Sequence, residues 1–112
     1  MSKKFEYVFG ADGKVSDIIV EDKPVKRSSM RGFKKAQETP VFMLMKNPVL
    51  GRNPFSGAEV ELNPLEGTIY HFCIMWYRNY EHHNIITPIQ TYDDMKYFLL
   101  EINPDAYMEL LD

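Results

Sequence analysis

Leu62-Asn63-Pro64-Leu65-Glu66-Gly67-Thr68-Ile69-Tyr70-His71-Phe72-Cys73-Ile74-Met75-Trp76-Tyr77 is the stretch on which the fold turns. Asn63 is a helix N-cap, Pro64 suits the first helical position, and Glu66 stands where a capping box needs its carboxylate. A helix is therefore expected from residue 64 to about residue 82. At about 100° per residue, Leu65, Ile69, Phe72, Cys73, Trp76 and Tyr80 fall in one arc, the expected core face. Tyr70, Ile74 and Tyr77 widen that arc to roughly half the circumference, leaving His71, Arg78 and His82 on the polar side. The tyrosine side has two open outcomes. Either other elements of the chain bury it, or it is offered to a partner, since a Tyr ring can be buried while its hydroxyl stays wet.

Working toward the C-terminus, Glu81 to Gln90 is a polar connector. A second helix is expected with Thr91 as its cap and Asp93 and Asp94 in the first turn, where carboxylates favour the helix dipole. Its apolar face is Tyr92, Met95, Phe98, Leu99 and Ile102. Asn103-Pro104 repeats the cap signal, so a short last helix should carry Tyr107, Leu110 and Leu111.

Working toward the N-terminus, Ala58, Val60 and Leu62 alternate with Glu59 and Glu61, the pattern of a strand with one wet face. Asn47-Pro48-Val49-Leu50-Gly51 and Asn53-Pro54-Phe55-Ser56-Gly57 read as two consecutive turns, because Pro fixes φ, Asn bonds locally and Gly allows left-handed geometry. Val41 to Met45 is a short apolar run, read as a strand. Residues 22–40 read as a basic connector. Phe5, Tyr7 and Phe9 alternate with polar neighbours, Asp12-Gly13 marks a turn, and Val15 to Val20 returns, giving an N-terminal β-hairpin.

The chain thus reads as one α+β domain over residues 1–112: a hairpin (1–21), the connector (22–40), short strands and turns (41–62), then two to three helices (63–112). The hairpin and the short strands are expected to form a small antiparallel sheet. At 112 residues and 45% apolar content the chain can bury a core. Its single cysteine, Cys73, allows no intrachain disulfide and favours a reducing compartment, so a cytoplasmic location is expected. No signal-peptide core is read, and no segment approaches the ~18 apolar residues of a membrane span.

Catalytic and metal chemistry find little support. His71 and Cys73 lie about 200° apart on the helix, and His71 and His82 stand roughly 16 Å apart along its axis, so neither pair can share an ion. Cys73 falls on the core arc, where a thiol is inert packing. No glycine-rich loop opens into a Lys-Ser/Thr helix start. No catalytic residue, metal or cofactor is expected. Instead, a non-enzymatic interaction or assembly module is expected, self-associating or binding a protein partner through Tyr70, Ile74 and Tyr77.

Charge raises an alternative. Residues 1–35 hold nine Lys/Arg against five Asp/Glu, and residues 36–112 hold four against eleven. Lys23, Lys26, Arg27, Arg31, Lys34 and Lys35, with Phe33 to stack on bases, suit contact with a nucleic-acid backbone. Against it stand the acidic remainder and a pI near 5.6. The basic front can also attract the acidic back within the chain or in a neighbouring copy.

Asn53-Pro54-Phe55-Ser56-Gly57-Ala58-Glu59-Val60-Glu61-Leu62-Asn63-Pro64-Leu65-Glu66, together with Tyr92-Asp93-Asp94-Met95-Lys96-Tyr97-Phe98, resembles small uncharacterised proteins of tailed bacteriophages, including those of marine cyanobacteria. The resemblance spans roughly residues 40–112 and leaves the hairpin outside. Its motifs are turns, caps and a strand, so it carries over no catalytic residue. It implies a phage product acting in the host bacterial cytoplasm or built into the virion.

Overall fold

The computed structural model describes residues 3–83 and 88–111, and the side chains of these apart from residues 80–83. Strands β1 (Phe5–Phe9), β2 (Val15–Val20) and β3 (Lys23–Pro24) form an antiparallel sheet in that order. Helix α1 (Arg27–Gln37) follows, then β4 (Val49–Arg52) and β5 (Glu59–Leu62), a separate antiparallel pair. The chain ends in α2 (Pro64–His83), α3 (Ile89–Ile102) and α4 (Pro104–Leu110). This is an α+β fold with its helices mostly C-terminal, as the sequence pattern predicts, its strands divided between two small antiparallel sheets where one was expected.

The hairpin runs Phe5 against Val20 through Phe9 against Val15, with a bulge between Val8 and Phe9. Gly13 takes the positive φ of +81° that its turn needs. A second two-residue turn, Glu21-Asp22, links β2 to β3 with both residues at positive φ, +51° and +65°. That is the dihedral pattern of a type I′ hairpin turn, built here without glycine.

Residues 22–40 are not a connector. They close the first sheet with β3 and then form α1, whose buried stripe is Ser29, Met30, Gly32, Phe33 and Ala36. Phe33 is fully buried, with the rings of Tyr7, Phe42 and Phe98 at centroid distances of 6.3, 5.4 and 6.1 Å. It is therefore core, not a stacking platform. Gln37 fastens α1 to the hairpin. Its Nε2 donates to the Val15 carbonyl and its Oε1 accepts from the Val15 N–H, both at 2.9 Å.

The basic front meets the acidic back within the chain. Arg31 lies on Asp94 through two hydrogen bonds of 2.8 and 2.9 Å. Two helical turns further along α3, Glu101 accepts from the Ser29 hydroxyl at 2.6 Å and from the Lys26 N–H at 3.1 Å. Asp94 therefore serves an ion pair with α1 and not the dipole of its own helix. The start of α3 also differs from expectation. It begins at Ile89 with Pro88 before it, and Thr91 is buried inside the first turn with no capping role.

Val41 to Met45 forms no strand. The run crosses the core as an irregular segment, with Val41, Phe42 and Leu44 packed against it. The Met45 N–H donates to the Thr68 hydroxyl of α2 at 2.9 Å. The first Asn-Pro…Gly stretch is likewise not a turn, because Val49 to Arg52 pairs with Leu62 to Glu59 as β4. Gly51 is there for packing. A β-carbon on it would stand 2.8 Å from a Leu62 methyl and 2.9 Å from a Leu110 methyl.

Helix α2 starts as its sequence predicts. The Asn63 N–H donates to Glu66 Oε1 at 3.0 Å and the Glu66 N–H to Asn63 Oδ1 at 2.8 Å, a reciprocal capping box. Glu66, at 1% exposure, does more than cap. Its other oxygen, Oε2, accepts from Asn103 Nδ2 at 3.1 Å, and Asn103 Oδ1 caps α4 by accepting from the Ala106 N–H. Leu65, Ile69, Phe72, Cys73 and Trp76 are all buried. The side chains of Tyr80 and His82, expected on the core arc and the polar side, lie outside the described residues. The indole of Trp76 stacks on Tyr92 at 4.5 Å, which joins α2 to α3.

Candidate interaction cleft

The far side of α2 forms one wall of an open cleft of ≈ 680 Å³. Tyr70, Cys73, Ile74, Tyr77 and Arg78 supply that wall, at the spacing of a single helical face. Tyr92 of α3 and Leu110 and Leu111 at the end of α4 close one side. Arg52, at the end of β4, and the turn Asn53-Pro54-Phe55 form the other.

The three residues expected to form a patch share this wall but differ in state. Tyr70 is buried, and its hydroxyl donates to the Arg52 carbonyl, so it ties the helix to the end of β4. Burial raises its pKa above the ordinary tyrosine value. Ile74 is half-buried, and Tyr77 is 47% exposed. The stripe thus runs from buried at Tyr70 to exposed at Tyr77.

Phe55, which pattern reading treats as part of a turn, is the most exposed large apolar side chain among the described residues, at 85%. The turn beneath it is rigidly determined by Asn53. Its side-chain oxygen accepts from the N–H groups of Phe55 and Ser56, and its amide nitrogen donates to the Glu109 carbonyl of α4 at 2.9 Å. Its backbone N–H donates to Ala58 and its carbonyl accepts from Gly57, which has φ of +79°. A phenyl ring in water on a fixed turn is preorganised for contact. The sequence signal was present: an aromatic between Pro and Ser-Gly has no core periodicity to join.

The cleft has a charge character of its own. Four cations occur in residues 36–112, and two of them, Arg52 and Arg78, line it. Both are exposed, and neither is in an ion pair among the described residues.

Nucleophilic chemistry is disfavoured at Cys73. The thiol is fully buried and burial pushes its pKa upward, which holds it as the neutral thiol. Burial likewise raises the Tyr92 hydroxyl to about 12. His71, expected on the polar side, is half-buried, and its Nδ1 is enclosed without a hydrogen-bond partner. That burial lowers its pKa, favouring the neutral ring. Among the described residues no group of three or more His, Cys, Asp or Glu is placed to hold a metal ion. No helix among them is long and apolar enough to cross a membrane.

The six basic residues Lys23, Lys26, Arg27, Arg31, Lys34 and Lys35 are all exposed, on β3 and on the outer face of α1. They lie away from the cleft and share none of its lining. Comparison with protein-family models, with curated proteins and with solved structures finds no match to this chain.

Proposed function

We propose that this chain is a small non-enzymatic interaction module that pairs with a second copy of itself through the cleft between the Phe55 turn and α2. The observation that carries the reading is Phe55 held out on a turn that Asn53 fixes at both ends. Burying one such ring is worth about 1.5–3 kcal/mol, and well-packed aromatic anchors dominate interface energetics. Tyr77 and the half-buried Ile74 supply the adjoining apolar surface.

Arg52 and Arg78 line the cleft in no ion pair among the described residues, and the cleft lining holds no carboxylate, so the copy meets them with carboxylates from the rim around its own cleft. A symmetric pair uses each such contact twice. The resemblance to tailed-bacteriophage proteins supports an accessory or virion-assembly role in the host bacterial cytoplasm or particle.

Sedimentation or light scattering across micromolar concentrations tests the reading. A dimer is expected, with Phe55→Asp or Tyr77→Asp raising its dissociation constant at least about tenfold, or about 1.4 kcal/mol. A wild-type chain that stays monomeric at several hundred micromolar, or a dimer indifferent to both substitutions, excludes this use of the cleft.

A further inference from the structure

A second surface, also cationic, stands apart from the cleft. Helix α1 buries Met30, Gly32, Phe33 and Ala36, so its outer face carries Arg27, Arg31, Lys34 and Lys35. At 1.5 Å per residue, Arg27, Arg31 and Lys34 follow one another along the axis at intervals of roughly 6 and 4.5 Å. Lys23 and Lys26 extend the row backward along β3 and the approach to the helix. Between this face and the β2–β3 edge runs an open groove of ≈ 780 Å³, lined by the cations Arg27, Arg31, Lys34 and Lys35 and by the carboxylates of Asp17 and Glu38.

Of the acids nearby, Glu21 and Asp22 stand exposed in the turn before Lys23, and the others make contacts within the chain. Asp94 is held by Arg31, and Glu38 stands 3.9 Å from Lys35. Glu101 accepts from Ser29 and from the Lys26 backbone, and Asp17 accepts from the Ile18 N–H at 2.8 Å. The charged groups of Lys23, Lys26, Arg27 and Lys34 are in no ion pair among the described residues. These four cations flank the paired Arg31 on one face of a chain whose net charge is −3.

We infer that the outer face of α1, with Lys23 and Lys26, binds the phosphate backbone of double-stranded nucleic acid without reading its sequence. The duplex follows from what the face lacks. Phe33, the one aromatic ring of α1, is fully buried in the core, so no ring of this helix is available to stack on an unpaired base. Cations on a helix face match a duplex backbone, whose charges are fixed in space and whose bound counterions are released on contact. The interaction is electrostatic, weak and sequence-independent.

The full-length chain, a fluorescent 20-base-pair duplex and a single strand of the same length give the test, with anionic lipid vesicles as a further arm. About four neutralised phosphates predict a log–log salt slope near −3.6 and an affinity loss of about 10²-fold between 50 and 200 mM salt. Arg27→Ser and Lys34→Ser should each make the slope about one unit shallower, and both sites are exposed, so folding is expected to survive and circular dichroism checks it. Duplex binding with that slope, weaker on the single strand and on vesicles, supports the inference. It is overturned by no duplex binding at 50 mM salt, by equal or tighter binding to the single strand or the vesicles, or by a slope that ignores both substitutions. The wild-type slope alone decides the matter if a variant fails to fold.

Discussion

Gly32 of α1 and Asp94 of α3 cross so closely that a β-carbon on residue 32 would stand 2.4 Å from the Asp94 β-carbon. The contact sets the approach of the two helices. Asp94 cannot give way, because Arg31 and Gln90 both donate to its carboxylate. Gly32→Ala improves helix propensity by about 1 kcal/mol, yet overpacking a fixed contact costs about 1–3 kcal/mol. The backbone of residues 94 and 95 also stands 3.2 Å from that site, so the upper part of the range applies. Net destabilisation is expected, seen as a lower midpoint in thermal or urea unfolding. An unchanged or raised midpoint would show that α1 can shift on α3.

Glu66 links two helix starts, and its removal should show it. Glu66→Ala leaves the Asn63 N–H and the Asn103 amide without their carboxylate, a loss of about 3 kcal/mol. Asn103→Ala removes the α4 cap and costs about 1–2 kcal/mol. Because the two residues touch, the double substitution should cost less than the sum of the singles. Strict additivity in urea unfolding would mean that the link carries no energy.

Two groups set two pH windows. Hydrogen bonding to Arg31 holds the Asp94 carboxyl below its ordinary value, so its stabilisation is full above an unfolded pKa of about 3.9 and is lost as pH falls below that. Burial lowers His71, so the folded chain prefers the neutral ring, and stability declines as pH falls from about 6.5. His71→Leu should therefore flatten the stability profile between about pH 7 and 5, while Asp94→Asn should lower stability across that range and change the slope of the profile only below about pH 4, where the wild-type carboxylate loses its contribution. Unfolding midpoints measured at half-unit pH steps separate the two. A His71→Leu profile parallel to wild type would remove His71 from the account.

The turn Glu21-Asp22 holds two non-glycine residues at positive φ, a geometry that costs side chains about 1–2 kcal/mol each, less for Asp than for Glu. Asn-Gly is the pair that suits such a turn. Glu21→Asn with Asp22→Gly is expected to stabilise the chain by about 1 kcal/mol, raising the melting temperature by about 4–8 °C. The hydrogen bond from residue 21 N–H to the Lys4 carbonyl is a backbone contact and survives the change. A lowered melting temperature would count against the turn geometry.

What could be read from the sequence was local. The caps Asn63 and Asn103, each followed by Pro, announced α2 and α4, and the alternation of Phe5, Tyr7 and Phe9 announced β1. Helix α1 escaped because its stripe is only Met30, Phe33 and Ala36, with Gly32 read as a loop residue although it is a crossing point. Its start carries no side-chain cap, and what makes it a helix is packing against α3, more than sixty residues away. Strand β4 escaped for a related reason: its Gly51 looked like a turn residue, and the packing of Leu62 and Leu110 that requires it is long-range. At the cleft, the helical stripe of Tyr70, Ile74 and Tyr77 was legible. That Phe55 joins no core periodicity was legible too, but that it projects into solvent was not, because this depends on how Asn53 anchors to α4.

The carboxylate of Glu66 also bears on which parts of the molecule open together. Helix α4 has seven residues, too few to persist alone in water. Its first turn relies on Asn103, which Glu66 holds, and its far end supplies the Glu109 carbonyl that anchors Asn53 and the Phe55 turn. The buried start of α2 and the exposed tip of the cleft therefore form one cooperative opening unit. In native-state hydrogen exchange, the amides of Ala106 and Phe55 should share one opening free energy, although one is buried in the core and the other sits beneath a ring that stands in water.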